Sequence, residues 1–374
     1  MNIGILQEQA PETRVAMLPE TVEAFIALKN IVRIQKDAGI HAHISDAAYR
    51  DAGAEVLEKD AVIQQSSLIL KVGAPTDVEI GKLKSDQVLV GTLNPLSHPD
   101  LVRTLKAHGM TTFSLDAIPR ISRAQAMDVL SSMATIAGYR AVLDAAFHLP
   151  VFFPMFMSAA GTIRPAKVLV LGAGVAGLQA IATARKLGAV VEVFDVRAAV
   201  KEEVQSLGAK FVEVQGAKDD AAAGGYAVEQ NEEFKQKQSQ MIQDHAIKSD
   251  VLICTAQIPG RKAPLLIKKE TVASMKAGSV IVDLAAASGG NCELSQNDKT
   301  IVSEGVTIIG NSNYTAGMPI DASRMYGKNM LNFLKLIINE EGQLNLNFDD
   351  EVVKGACITH KSEVINPRVK AILE

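Results

Sequence analysis

The run VLVLGAGVAG sets Gly172, Gly174 and Gly177 in G-x-G-x-x-G spacing directly after an apolar strand signal, and the helical run Leu178 to Leu187 follows. Each glycine has a task in gripping a dinucleotide. The first permits a tight turn, the second lets backbone approach a pyrophosphate, and the third lets helix and strand pack closely. The pyrophosphate then meets the positive end of the helix and its unpaired N–H groups. That spacing alone is a weak signal, because a glycine-rich turn needs no ligand. Here the strand-like AVVEVFD ends in Asp195, 18 residues beyond Gly177. A carboxylate so placed accepts hydrogen bonds from ribose hydroxyls and repels a 2′-phosphate, which favours NAD(H) over NADP(H). Arg197, two residues on, would tolerate a phosphate and leaves that preference less secure.

A second stretch, SLDAIPRISRAQAMDVLSSMATIAGYR (residues 114–140), begins polar and turns into a small-residue helix. It has no His and no Cys, and its only carboxylates are Asp116 and Asp128. Groups of this kind hold a ligand in place rather than move its protons. Arg120 offers a planar fork to a phosphate or a carboxamide oxygen. Asp128 and Ser131 can fix the rotation of an amide, and Gln125 can reach a neighbouring molecule. The plainer reading is a polar interdomain turn with Arg120 and Asp128 as a surface pair.

The composition narrows the class of protein that carries these residues. Of 374 residues, 48% are hydrophobic and 21% charged, with 4% aromatic and no Trp. A core built from Ala, Val, Ile, Leu and Met suits α/β layers better than an aromatic sandwich. The net charge of −4 excludes nucleic acid as the main partner. Cys254, Cys292 and Cys357 are too scattered for a disulfide framework or a zinc site, and the seven His show no ligand spacing. The first 15 residues lack a signal-peptide pattern, and the apolar VFFPMFMSAAGTI is too short to span a bilayer, so a cytoplasmic location is expected.

Strand-like and helix-like segments alternate along the chain. NIGIL, VRIQ, SSLILKVGAP, DQVLVGTLNPL and MTTFSLDAI read as strands, with helices at PETVEAFIALK and PDLVRTLKAHG. A second series runs from Lys167 through KFVEV, SDVLICTA, SVIVDLA and VTIIG, and DASRMYGKNMLNFLKLIINEEG reads as a helix followed by a polar tail. Alternation implies parallel sheets covered on both faces. The expected architecture is therefore α/β, with two Rossmann-like doubly wound parallel-sheet domains separated by a cleft. One comprises residues 1–130 with 321–374, the other 131–320, and a helix from about Ile121 to Leu143 links them.

ETRVAMLPETV, PRISRAQAMDVLSSMATIAGYRA, VLVLGAGVAGLQAIATARKLGA, GGYA, IPGR and IVDLAAASGGNCEL together resemble the alanine dehydrogenase and proton-translocating transhydrogenase family over almost the whole chain. The likeness is nearest to domain I, the NAD(H)-binding part, of the transhydrogenase branch. The resemblance implies that Arg120, Gln125 and Asp128, followed by Ser131 and Tyr139, serve the nicotinamide end. It implies that Gly172, Ala173, Gly174, Val175, Gly177, Asp195, Val196, Arg197, Gly225, Tyr226, Gln238, Ala256 and Gln257 surround the rest of NAD(H). GGYA, with Tyr226, resembles the loop that is mobile in the family. Val228, Gln230 and Gln257 depart from the family's usual residues, and SNYTAGMP lacks its usual Pro-Ser-Arg. The resemblance further implies a homodimer, NADP(H) on a separate domain III, a transmembrane domain II, and attachment to the inner face of a membrane through those partners.

An amino-acid dehydrogenase must move protons at the substrate carbon. By resemblance, its His and Asp positions correspond to Asn94 and Ala287, neither of which does so. Arg14 and Lys71 resemble the pair that binds a substrate carboxylate, but could equally serve structure. A soluble alanine dehydrogenase and a non-catalytic NAD-binding module remain as alternatives.

Overall fold

The computed structural model describes residues 1–213, 232–257 and 261–373, with the side chains of 232–235 left aside. The chain divides into two compact units, residues 1–133 with 315–374, and residues 134–314.

The first unit holds an eight-stranded sheet. Its order is Glu363–Val364, Cys357–His360, Thr111–Ser114, Val88–Gly91, Leu68–Leu70, Asn2–Ile5, Ile31–Gln35 and Glu55–Leu57. Neighbours are parallel except at the edge formed by the two C-terminal strands. Leu68, Ile69 and Leu70 are all buried, as expected of a strand covered on both faces. The helix Pro19–Ala27 starts on a proline, which has no N–H to leave unsatisfied there. The long helix Pro319–Ile337 returns from the far end of the sequence and buries Tyr326, Met330, Phe333 and Ile337 in this core.

The second unit holds a seven-stranded sheet, ordered Lys210–Val212, Val190–Phe194, Lys167–Leu171, Val251–Cys254, Val280–Asp283, Val306–Ile309 and Thr300–Ser303. Only the last strand is antiparallel. Chain order reverses between Lys167–Leu171 and Val251–Cys254, so the loops after those strands flank the crevice where open α/β sheets take ligands.

Two sequence expectations need correction. The C-terminal tail is not merely polar: helix Glu351–Ala356 leads into strand Cys357–His360, with Cys357 and Ile358 fully buried. The polar residues around that short apolar run conceal its role as a strand paired on both sides, with Thr111–Ser114 and with the edge strand Glu363–Val364. The linking helix begins at Val129 and reaches His148, while Ser122–Met127 form a 3₁₀ helix before it. The reason is Asp128, whose carboxylate accepts the Ser131 N–H at 2.9 Å and so caps the α-helix. The expected pair of doubly wound, parallel-dominated sheets is present, each carrying an antiparallel strand at one edge.

Candidate functional site

The second unit places the glycine turn at the reversal point. Gly172 adopts φ +104°, a conformation that favours glycine, and a Cβ there would lie 2.6 Å from Thr255 Oγ1. A Cβ on Gly177 would lie 1.9 Å from the Gly172 carbonyl oxygen, so this glycine allows the helix Val175–Lys186 to sit directly on the turn. Gly174 differs. It precedes the helix with no side-chain cap, and a Cβ there would meet nothing within 4 Å. Open space beside the first-turn N–H groups, reached through a residue without a side chain, fits a pyrophosphate. Ala173 is buried behind the turn and Val175 is exposed at the helix start.

Asp195 follows the strand Val190–Phe194, and its side chain is 6% exposed. Its Oδ2 accepts the Ala173 N–H at 2.7 Å and the Arg197 Nη2–H at 2.7 Å. Oδ1 accepts the Arg197 backbone N–H at 2.8 Å and its Nε–H at 2.9 Å. Asp195 therefore braces the glycine turn, and the Arg197 fork is committed to it. Val196 packs on the second unit's smaller apolar cluster.

After the strand Val251–Cys254, Thr255 Oγ1 donates to the Gly172 carbonyl at 2.9 Å, and Ala256 comes within reach of the same turn. Gln257 Nε2 donates to Ser288 Oγ at 2.6 Å. Gln238 is half-buried on the helix Glu232–Ala246. Gly225 and Tyr226, with Val228 and Gln230, lie outside the described residues.

In the first unit, Arg120 Nε stands 4.0 Å from Asp128 Oδ2, and that oxygen accepts Ser131 Oγ–H at 2.6 Å. Arg120, Asp128 and Ser131 thus form one cluster, with Gln125 exposed on the 3₁₀ helix nearby in sequence. Tyr139 belongs to the second unit, exposed on the helix Val129–His148. Its neighbour Gly138 carries no sequence signal: a Cβ there would lie 2.1 Å from Ala176 O, so this glycine lets the long helix touch the first turn of Val175–Lys186. No spacing rule marks such a contact. Thr255 is a further functional residue, and its sequence signal is a hydroxyl at the end of a strand beside the reversal point.

Arg14 and Lys71 are both occupied internally. Arg14 forks onto Glu12 through Nε at 2.8 Å and Nη2 at 2.6 Å. Burial opposes ionisation of Glu12, but Arg14 outweighs it and holds the carboxyl below its ordinary range. Lys71, 1% exposed, contacts Glu79 at 2.9 Å and Glu8 at 3.7 Å. Burial raises the Glu79 carboxyl, yet the Lys59 hydrogen bond, the Lys71 charge and the Thr76 N–H bring it down to about 2. Glu8 also accepts the Val72 N–H at 2.6 Å and the Gly73 N–H at 3.3 Å. Those N–H groups flank the reversal point of the first sheet, between Asn2–Ile5 and Leu68–Leu70. The chain's own carboxylate fills that position. Asn94 is exposed at φ +48°, and His98 Nδ1 lies 3.1 Å from the Asn94 carbonyl oxygen.

Among the described residues no cluster suits a metal ion, and no helix is long and apolar enough to cross a membrane.

Comparison with known proteins agrees with this geometry. The family models "Alanine dehydrogenase/PNT, N-terminal domain" and "Alanine dehydrogenase/PNT, C-terminal domain" match residues 4–137 and 141–367. The chain is 45% identical over 370 residues to NAD(P) transhydrogenase subunit alpha of Haemophilus influenzae, covering 98% of this chain and 72% of that one. It is 44% identical over 377 residues to the first part of NAD(P) transhydrogenase subunit alpha of Rhodospirillum rubrum, covering 98% of each. The crystal structure of transhydrogenase from Sinorhizobium meliloti superposes with a TM-score of 0.90 at 42% identity, over 98% of this chain and all of that one. The relatives are named as subunits, which implies partner chains, and dehydrogenases and NAD(P) transhydrogenases alike require a nicotinamide nucleotide. With both family models matched across nearly its full length, this chain is a member of the alanine dehydrogenase/PNT family.

Proposed function

We propose that this chain is the NAD(H)-binding subunit of a proton-translocating NAD(P) transhydrogenase, and that it presents C4 of its nicotinamide to NADP(H) held on a separate domain III. The observation that carries the proposal is likeness over 98% of both chains to a subunit of that enzyme, joined to a glycine turn left open at Gly174. When bound, the nicotinamide supplies the hydride chemistry. The residues of this chain bind and orient: Gly172–Gly177 hold the pyrophosphate, Asp195 faces the adenosine ribose, and Arg120, Asp128 and Ser131 fix the carboxamide. Passing a hydride between two nicotinamides requires the rings at ~3–3.5 Å with water excluded, and no proton transfer at the reacting carbons.

NAD(H) is preferred over NADP(H) because the Arg197 fork is spent on Asp195, so a 2′-phosphate would meet a neutralised pair. The internal pairing of Arg14 and Lys71, with Asn94 and Ala287 at the proton-handling positions, disfavours a soluble alanine dehydrogenase. A homodimer is supported by an exposed apolar patch on the hairpin Phe156–Ser158 and Gly161–Ile163, which shows Phe152, Met155, Phe156, Met157 and Ile163 to solvent. Association with a membrane domain II places the subunit at the cytoplasmic face of the membrane.

Mixing the chain with a transhydrogenase domain III, NADPH and an NAD⁺ analogue tests the reading. Transfer to the analogue is expected. Nucleotide binding without transfer would leave an NAD-binding module, and reduction of NAD⁺ by alanine alone would leave an amino-acid dehydrogenase.

A further inference from the structure

Three carboxylates and amides at the strand ends of the second unit act on backbone, and the most elaborate is Asn291. This side chain is fully buried, in the GGNCE segment to which the sequence assigns no role. Its Oδ1 accepts the Ala256 N–H at 3.0 Å, and its Nδ2 donates to the Ala256 carbonyl at 2.8 Å. The same Nδ2 donates to the Pro264 carbonyl at 2.8 Å. One amide thus uses its oxygen and one hydrogen on Ala256, as a neighbouring strand would, and its other hydrogen on Pro264. Asn291 is itself held from behind. Asp283, the last residue of its strand and fully buried, accepts N–H from Asn291 at 2.8 Å and from Cys292 at 2.9 Å. It also accepts Ser295 Oγ–H at 2.6 Å. Gly289 and Gly290, at φ +98° and +77°, let the chain fold back onto that carboxylate.

On the other side of the same stretch, Thr255 holds the Gly172 carbonyl, and a Cβ on Gly172 would lie 3.3 Å from Ala256 N. A continuous line of hydrogen bonds therefore runs from Asp283 through Asn291 and Thr255–Ala256 to the first glycine of the turn. We infer that Asn291 is a positioning residue for the dinucleotide: it sets how closely Thr255–Ala256 lies against Gly172, and so fixes the wall of the crevice. The inference rests on the reading of this crevice as an NAD(H) site.

The test compares wild type, Asn291→Leu and Thr255→Val, with NADH binding measured by calorimetry and transfer measured with domain III. Asn291→Leu keeps the number of side-chain heavy atoms and removes the three side-chain hydrogen bonds. Its Kd and KM for NADH are expected to rise about tenfold, while kcat at saturating NADH falls by less than twofold. A merely structural role would lower the folded fraction and kcat together at unchanged KM, and that result overturns the inference. Because both side chains act on one stretch, the double variant is expected to lose less than the product of the single losses, and strict multiplication also overturns it. Should Asn291→Leu fail to fold, Asn291→Ser is carried through the same measurements with the same criteria. Wild-type protein that binds no NADH would remove the NAD(H) reading itself. Wild type that binds NADH, beside an Asn291 variant that binds it equally well, removes only this inference.

Discussion

Gly174→Ala and Gly177→Ala differ by three positions and are expected to fail in different ways. Gly174 has φ −75° and ψ −172°, which any L-residue adopts, and its Cβ would meet nothing within 4 Å. Replacing a glycine by alanine at a helix N-cap costs about 0.5–1 kcal/mol, a shift in Tm of only a few degrees for a chain of this size. A pyrophosphate resting on the first-turn N–H groups, however, would meet the new methyl. Losing one hydrogen bond to a charged acceptor costs about 1.5–3 kcal/mol, or roughly a ten- to hundredfold rise in Kd. At Gly177 the added Cβ lies 1.9 Å from the carbonyl oxygen and 2.9 Å from the carbonyl carbon of Gly172. Backbone cannot rotate aside, so helix and turn must separate, at a cost of about 1–3 kcal/mol or more in stability. The chain has no Trp, so the nucleotide's own fluorescence reports NADH binding, and thermal unfolding reports stability. Gly174→Ala should lose NADH affinity at nearly constant Tm, keep its affinity for adenosine, and bind ADP-ribose as poorly as NADH. Gly177→Ala should lose Tm first. Gly174→Ala binding NADH within about twofold of wild type would refute the placement of the pyrophosphate.

The remaining predictions concern other regions of the molecule. Arg120→Ala and Asp128→Asn should reduce transfer to the NAD⁺ analogue far more than NADH affinity, because they disturb orientation; equal losses in single-turnover and binding assays would contradict this. Asp195→Asn releases the Arg197 fork, so the ratio of NADPH to NADH affinity should rise by at least about tenfold in competitive titration. Glu79, held at about 2 against an ordinary 4.5, contributes stability that is fully present above pH 4.5 and is lost as pH falls toward 2. That contribution is of order 2–3 kcal/mol after allowing for the partly exposed Lys59. Urea unfolding should show the gap between wild type and Glu79→Gln narrowing from pH 5 to pH 3.

The features of this molecule legible in the sequence are those where one residue type is required by local geometry. Gly172 needs a positive φ, Gly177 a close approach, and both were readable from spacing because the strand and helix around them are strongly periodic. Asp195 was readable as a position, but its engagement with Ala173 N–H and Arg197 depends on side-chain geometry that spacing does not encode. Gly138 looked like one more small residue in a helix, since its reason for being glycine is a helix 37 residues further along the chain. The strand Cys357–His360 is hidden in the sequence because four residues give no usable period, and one of its pairing partners, Thr111–Ser114, lies some 240 residues earlier. For Lys71 the sequence leaves a substrate carboxylate and a structural role equally open, because the choice depends on Glu8, more than 60 residues earlier, closing on it together with the nearby Glu79.

The second unit's acidic side chains also bear on what kind of chemistry its crevice can support. Asp195 and Asp283 stand at the carboxyl ends of their strands, where a catalytic acid or base would be placed. Both are instead saturated with N–H donors, Asp195 by Ala173 and Arg197, and Asp283 by Ala285, Asn291 and Cys292. A carboxylate whose oxygens accept several N–H bonds gives up its electron pairs to geometry. It makes a poor proton shuttle and a good brace. The bracing is concentrated on the loops at Gly172 and Ala256, the wall on which the dinucleotide rests, so it serves nucleotide affinity rather than proton transfer. If either carboxylate served as a general base, its Asn variant would abolish turnover while leaving NADH affinity intact. As braces, Asp195→Asn and Asp283→Asn should both lose affinity, and transfer at saturating NADH should keep the pH profile of the wild type.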